Sequence, residues 1–334
     1  MSCAQQPKFL PTNVSAITIE PLYLEEDISI RALEIDKSGM IAYAANTGRY
    51  GFIDVESDIQ KHEQLTDSIA QTMEFRGLSF SKLGVNFISA GSPALLYKVS
   101  YSNWEPKLVY TEEAEETFYD SMHFWDDKNG IAFGDAMNGC MSVLKTENGG
   151  ETWRKISCKN FPPAYDHEGA FAASDTNIEV VGNNIWLASR SKIYHSKDAG
   201  ESWTVQFPPI VQDEATQGIY SVDFHSDKIG VAIGGDYTTP ELNEENLLFT
   251  ATGGRHWYSI ASATSPGYRS CIQFIPDTHG RGLLAVGFAG INISMDGGET
   301  WRQLSDQSAY TVRFQSPTKG VFAGKGGIWS FTLN

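Results

Sequence analysis

The sequence is poor in the features that mark membrane spans, nucleic-acid binders and metal sites. No stretch approaches the ~18 consecutive apolar residues that signal a membrane-spanning helix. Basic residues are scarce, with 25 Lys and Arg against 41 Asp and Glu, for a formal charge of −16. That balance argues against nucleic acid as a partner, because such binding rests on cations that neutralise phosphates. The seven histidines, at 62, 123, 167, 195, 225, 256 and 279, show no ligand spacing. Only Asp166-His167-Glu168 gathers metal-binding residue types, and no metal is expected. No G-x-G-x-x-G follows a strand and no cysteine pair has redox spacing, so no cofactor is expected. The acidic run Glu112-Glu113-Ala114-Glu115-Glu116 reads as a solvated loop.

What is abundant points to strands. Hydrophobic residues make up 41% of the chain and aromatics 12%, enough for a large core. The 31 glycines are dispersed through turns, as in proteins of many short strands. One octet recurs, as Thr146-Glu-Asn-Gly-Gly-Glu-Thr-Trp153, Ser196-Lys-Asp-Ala-Gly-Glu-Ser-Trp203, Thr250-Ala-Thr-Gly-Gly-Arg-His-Trp257 and Ser294-Met-Asp-Gly-Gly-Glu-Thr-Trp301. Its tryptophans lie 44 to 54 residues apart, a spacing typical of repeat architectures. In each octet Asn148, Asp198 or Asp296 has the side-chain oxygen to accept turn N–H groups, and glycine supplies a positive φ. Thr252 replaces the acceptor in the third copy. Trp153, Trp203, Trp257 and Trp301 then open a strand and bring a large ring to the interface between sheets.

A second repeat precedes each octet: an alternating strand, a turn ending in glycine, and a small apolar strand. It runs through Leu33-Glu-Ile35, Leu78-Ser-Phe80, Met122-His-Phe124, Val222-Asp-Phe224, Ile272-Gln-Phe274 and Val312-Arg-Phe314. Ala170-Phe171-Ala172 with Ile185-Trp186-Leu187 fills the gap as a further unit, making seven. Four-stranded sheets repeated radially form a propeller. The expectation is an all-β, seven-bladed β-propeller with four-stranded antiparallel blades. Ile17-Thr-Ile19 would close the ring against the strand from Gly327 to Phe331.

The ends and cysteines add a compartment question. Residues 14–334 read as one propeller domain and 1–13 as a flexible tether. Met1-Ser2-Cys3 resembles the start of a mature bacterial lipoprotein, with Cys3 as the lipid site and a periplasmic or cell-surface location. If Met1 is the native start, the protein is cytoplasmic. Cys140 and Cys158 stand symmetrically about Gly149, either as a disulfide or as two thiols. Cys271 reads as core. A monomer is expected.

The octets resemble the Asp-box, or BNR, repeat of sialidases, sortilin-like receptors and the photosystem II stability/assembly factor. Phe75-Arg-Gly-Leu78 and Pro266-Gly-Tyr-Arg-Ser270 bring the whole chain nearest to bacterial propellers resembling that assembly factor. The octet specifies a turn and no activity.

Propeller geometry points to one face. Counting four residues back from each inner-strand Phe or its equivalent gives Arg31, Arg76, Asp120, Glu168, Tyr220, Ser270 and Tyr310, with Tyr268 and Arg269 alongside. Second-strand ends add Asn46, Asp135, Arg190, Asp236 and Lys325. This polar funnel reads either as a ligand site or as structural pairs such as Arg76 with Asp120. The reading is a non-catalytic binding or assembly propeller that presents the funnel to a protein or glycan outside the cytoplasm. The alternative is a sialidase-like glycoside hydrolase. The resemblance would then assign Arg31, Arg76 and Arg269 to a carboxylate clamp, Glu168 with Tyr220 or Tyr310 to the nucleophile, and Asp120 to the acid. Arg31 is followed by Ala32-Leu33 where the sialidase motif has Ile-Pro, and the order along the chain also differs.

Overall fold

The computed structural model describes residues 14–57, 59–260 and 263–334; the tether and Cys3 lie outside the described residues. Strands alternate with turns and loops, the longest loop running from 156 to 177, and two single-turn 3₁₀ helices are the only helices among the described residues. They form six sheets, so the protein is a six-bladed β-propeller and the expectation of seven separate blades is corrected. Five sheets are four-stranded antiparallel meanders, with innermost strands Glu74–Ser81, Tyr119–Phe124, Ile178–Val181, Gln217–Phe224 and Cys271–Phe274. We number these sheets 2 to 6 in that order. Sheet 1 is a six-stranded composite in the order Thr311–Ser316, Lys319–Leu333, Ile17–Ile35, Ile41–Ala45, Arg49–Asp54 and Ile59–Gln64.

The composite has a local cause. Ile17–Ile35 is 19 residues long and serves two neighbours. Its first part pairs Ile17 with Leu333, Thr18 with Thr332 and Ile19 with Phe331; its last part pairs Ile30 to Ile35 with the strand Ile41–Ala45. The register breaks between Leu24 and Ser29, around Asp27 at φ +65°. The first and last repeat units thus share one hydrogen-bonded sheet, which joins the two ends of the chain.

Apolar clusters fill the gaps between neighbouring sheets. Trp186, fully buried, lies 3.7 Å from the ring of Phe224 and 4.8 Å from that of His195, both stacked, and its Nε1 donates to Gly253 O at 3.1 Å. The octet tryptophans Trp153, Trp257 and Trp301 are buried, whereas Trp203 is only partly so. The octet turns close through their side chains. Asp198 accepts from Ser202 N at 2.8 Å, Asp296 from Thr300 N at 2.9 Å and Asn148 from Thr152 N at 3.0 Å. Thr252 keeps one such bond, from His256 N at 2.9 Å. Cys140 and Cys158 are joined in a disulfide, and Cys271 is a buried free thiol.

Sheet 4 departs from the sequence reading. Ala170-Phe171-Ala172 forms no strand, and the inner strand is Ile178–Val181, paired with Asn184–Ala188. Residues 170–176 instead cross the central channel as a plug, bonded to the inner strands of the surrounding sheets. Arg31 donates to Ala173 O at 3.0 Å and Arg76 to Ala172 O at 3.1 Å. Asp175, buried and at φ +60°, accepts Leu78 N at 2.8 Å and Met122 N at 2.9 Å. Ser174 donates to Ser270 O at 2.7 Å, and Thr176 to Ser221 Oγ at 2.8 Å. The plug spends its polar groups on strand ends and channel-facing donors, which is what a buried irregular segment requires.

Candidate functional site: the plugged channel mouth

A cavity of about 350 Å³ opens above the plug. Phe171 of the plug stacks on Tyr220 at 3.7 Å, so the floor is aromatic as well as backbone. Tyr220 meets Tyr268 edge-on at 4.8 Å, and Phe288 lies 5.3 Å from Tyr268. Tyr237 and Phe288 are exposed at the rim, although both are large apolar rings. On the facing wall the Arg31 guanidinium sits 4.0 Å over the Tyr310 ring. Burial first, and then the charge of nearby Arg76, lower the pKa of Arg31. Its Nε is buried with no hydrogen-bond partner. Arg76 pairs with Glu74, two residues earlier, and not with Asp120.

The structure separates the remaining funnel candidates. Arg31, Arg76, Tyr220, Tyr268 and Tyr310 converge on this cavity. Glu168 does not, because the plug displaces it: matching Val180 with Phe124 through their pairing to Ile185 and Gly130 puts Thr176 in the ring position. Glu168 is instead locked in the interior, 2.5 Å from Lys192 Nζ, accepting also from Ser189 Oγ at 2.6 Å and Tyr194 OH at 2.9 Å. Arg269 turns away, with Nε and Nη2 on Asn292 Oδ1 at 3.1 and 2.6 Å, and burial pushes its pKa down to about 10. Ser270 donates to Tyr310 O at 2.7 Å. Arg190 is bonded to Glu214 O at 2.8 Å, and Asp236 closes a turn through Thr238 N at 2.9 Å. Asn46 Oδ1 accepts Ser29 N at 2.8 Å, and Lys325 pairs with Ser29 at the strand margin.

Asp120 is fully buried beside Asp135, whose Oδ1 accepts Ala170 N at 2.8 Å. The constellation of the hydrolase alternative is therefore not assembled. The Tyr220 hydroxyl donates to Thr216 O at 2.7 Å, Glu168 is engaged with Lys192, and Arg269 does not line the cavity that Arg31 and Arg76 line. Among the described residues no group of His, Cys, Asp and Glu is arranged to hold a metal, Asp166-His167-Glu168 included.

Three aromatic residues of the cavity were missed in the sequence, Phe171, Tyr237 and Phe288, together with Ala172 and Ala173 of the plug. Tyr237 follows the second-strand end Asp236 and Phe288 follows Gly287, so one further step along each strand end would have found them. Phe171 could not be placed without the plug.

Below the plug a second ring lines the channel, formed by the polar residue of each inner-strand triplet. It includes Glu34, His123, Glu179, Asp223 and Arg313, with Arg313 Nε 2.7 Å from Glu34. Burial pushes the His123 pKa down to about 4 and the Asp223 pKa up to about 6. It also raises Asp135, and lifts Asp120, Asp175 and Glu179 well above their ordinary values. These carboxyls bind protons more tightly folded than unfolded. Between the unfolded value of 3.8 and the folded value of about 6 for Asp223, stability is lost as pH rises. Lowering pH from 7 to 5 therefore strengthens the Asp223 contribution, while His123 and His195, which burial keeps neutral, oppose it, so the melting temperature of Asp223→Asn should fall relative to wild type over that range. Asp198, held at about 2 by the Ser202 hydroxyl and N–H, acts in the opposite sense and only at lower pH. A difference in melting temperature between wild type and Asp223→Asn that stays constant from pH 7 to 5 would contradict a proton-binding carboxyl at Asp223.

No protein-family model matches the chain, and no curated protein matches it. Solved structures do. The structure of YCF48 bound to a D1 peptide aligns with a TM-score of 0.67 at 12% identity, covering 99% of this chain and 100% of the other. YCF48 from Cyanidioschyzon merolae gives 0.67 at 14%, covering 95% and 99%. The GH74 xyloglucanase from Xanthomonas campestris gives 0.64 at 13%, covering 94% of this chain and 53% of the enzyme. At these identities the likeness establishes the propeller fold and nothing about activity.

Proposed function

We propose that the protein is a non-catalytic binding or assembly propeller that receives a segment of a partner protein in the plugged channel mouth. The carrying observation is the pairing of Arg31, which has no carboxylate partner among the described residues, with an aromatic bowl whose rim rings Tyr237 and Phe288 stand exposed. Such a bowl fits an apolar or aromatic side chain, while the two guanidinium groups fit an acidic group beside it. The plug gives the bowl a rigid floor, so little ordering is required on binding. The likeness to a propeller solved with a bound peptide supports a polypeptide occupant. The disulfide supports a location outside the cytoplasm, where such bonds persist, and a lipid on Cys3 would tether the propeller to a membrane surface.

The test places a photo-crosslinking phenylalanine analogue at Tyr237 in the source cells. One dominant protein adduct, lost when Arg31 and Arg76 are both changed to alanine, is the expected result. Adducts that persist in that variant would rule out the mouth as the binding site.

A further inference from the structure

The junctions between neighbouring sheets can be compared position by position through strand pairing. Lys98 pairs with Asn86, Lys145 with Ile131 and His195 with Trp186; these partners pair in turn with Ser79, His123 and Glu179 of the inner strands. Lys98, Lys145 and His195 are thus equivalent. Both lysines are buried, and both cross to the octet of the next sheet. Lys98 Nζ lies 2.5 Å from Glu151 and donates to Gly149 O at 2.8 Å, and Lys145 Nζ lies 2.8 Å from Glu201. Glu151 and Glu201 hold the sixth place of their octets. In the next octet that place is Arg255.

At the junction of sheets 4 and 5 the lysine has therefore become His195 and the glutamate Arg255, so the ion pair of the two preceding junctions is missing at these positions. Gln206 takes over the structural contact. Its Nε2 donates to Gly253 O at 3.1 Å, the counterpart of Gly149 O, and its Oε1 accepts from Trp257 Nε1 at 3.2 Å. The junction opens as a cavity of about 610 Å³ walled by Lys197, Arg255, Ser202, Thr204 and Phe207. Phe207 is 70% exposed. Neither Lys197 nor Arg255 is ion-paired to a carboxylate among the described residues, in a chain whose net charge is −16.

We propose that this cavity binds an acidic sugar, a pyranose carrying a carboxylate or a sulfate. Lys197 and Arg255 hold the anion with charge-assisted hydrogen bonds. The hydroxyls of Ser202 and Thr204 accept from ring hydroxyls, and the open face of Phe207 receives the apolar face of the ring. The volume suits one or two rings, within the range of small-ligand sites. The cavity lies outside the channel mouth and stands independently of any partner bound there.

Calorimetric titrations with tetragalacturonate, a sulfated chondroitin disaccharide, neutral maltotetraose and tetraglutamate test this. At least one of the two acidic sugars should bind; tetragalacturonate carries carboxylates alone and the chondroitin disaccharide a carboxylate and a sulfate, so binding of the disaccharide alone points to the sulfate. Maltotetraose should bind at least about tenfold more weakly, the loss expected when a charged hydrogen bond is missing. Arg255→Glu should weaken the acidic sugar by at least the same factor. The double change H195K with R255E should install the bridge of the preceding junctions, abolish binding and leave melting unchanged or raised. The proposal is overturned if neither acidic sugar binds, if wild type and Arg255→Glu bind alike, or if tetraglutamate binds as tightly as the sugars.

Discussion

Glu168→Ala should destabilise the protein by about 3–5 kcal/mol, because it strands Lys192 as an unpaired charge in the interior. Lys192 has a side chain only 4% exposed and stacks 3.4 Å under the Tyr165 ring, so water cannot replace the carboxylate. Glu168 also accepts Tyr165 N at 2.9 Å and the hydroxyls of Ser189 and Tyr194. Those donors would lose their acceptor together. Removing both charges in Glu168→Gln with Lys192→Met should recover much of the loss, since paired deletion leaves no buried ion. Urea denaturation reads both values. A loss below about 1 kcal/mol for Glu168→Ala would mean that the pair is as weak as an exposed salt bridge.

Trp186→Ala should cost a comparable ~3–5 kcal/mol, as large aromatic truncations in packed cores do. The indole is the middle layer of a stack between His195 of its own sheet and Phe224 of the next. Its Nε1 bond to Gly253 O also ties sheet 4 to the octet turn of sheet 5. Trp186→Phe keeps part of the stack and should cost distinctly less. Equal losses in the two variants would show that the hydrogen bond, not the ring, holds this junction.

Much of the fold was legible because strands and turns are local. Alternation in Leu33-Glu34-Ile35 and its counterparts placed the inner strands, and the octets placed the hairpins, whose side-chain bonds at Asp198 and Asp296 are those the residue types imply. Sheet count was not local. It turned on whether Ile17–Ile35 breaks between two sheets or runs through both, and the strand runs through although Pro21 and Asp27 shift its register.

The site was legible where one ring position sits on a regular strand, as for Arg31, Arg76, Tyr220 and Tyr310. It failed at Glu168, because Ala170-Phe171-Ala172 carries a strand-like pattern while its backbone bonds to the channel wall. That choice is made by partners as distant in sequence as Leu78 and Thr311, which bond to Asp175 and Ser174 O. Arg269 failed for a related reason. Asn292, on the third strand of the same sheet, offers a buried acceptor that a count along one strand cannot reveal. The lower polar ring was readable from the same triplets as the strands, as the polar residue between two apolar ones, except for Glu179, whose strand Ile178–Val181 lay outside those triplets.

The measurement that bears most directly on a partner-binding mouth is the melting temperature of Arg76→Ala taken beside its capture of the crosslinked partner. Arg76 is bonded to Glu74 at the surface and to Ala172 O of the plug. Its loss should cost about 1 kcal/mol of stability, one hydrogen bond's worth. Capture should disappear, because the acidic group of the partner loses half of its clamp. A variant that melts several kcal/mol earlier yet still captures the partner would make the arginines a structural lock on the plug and contradict the binding site.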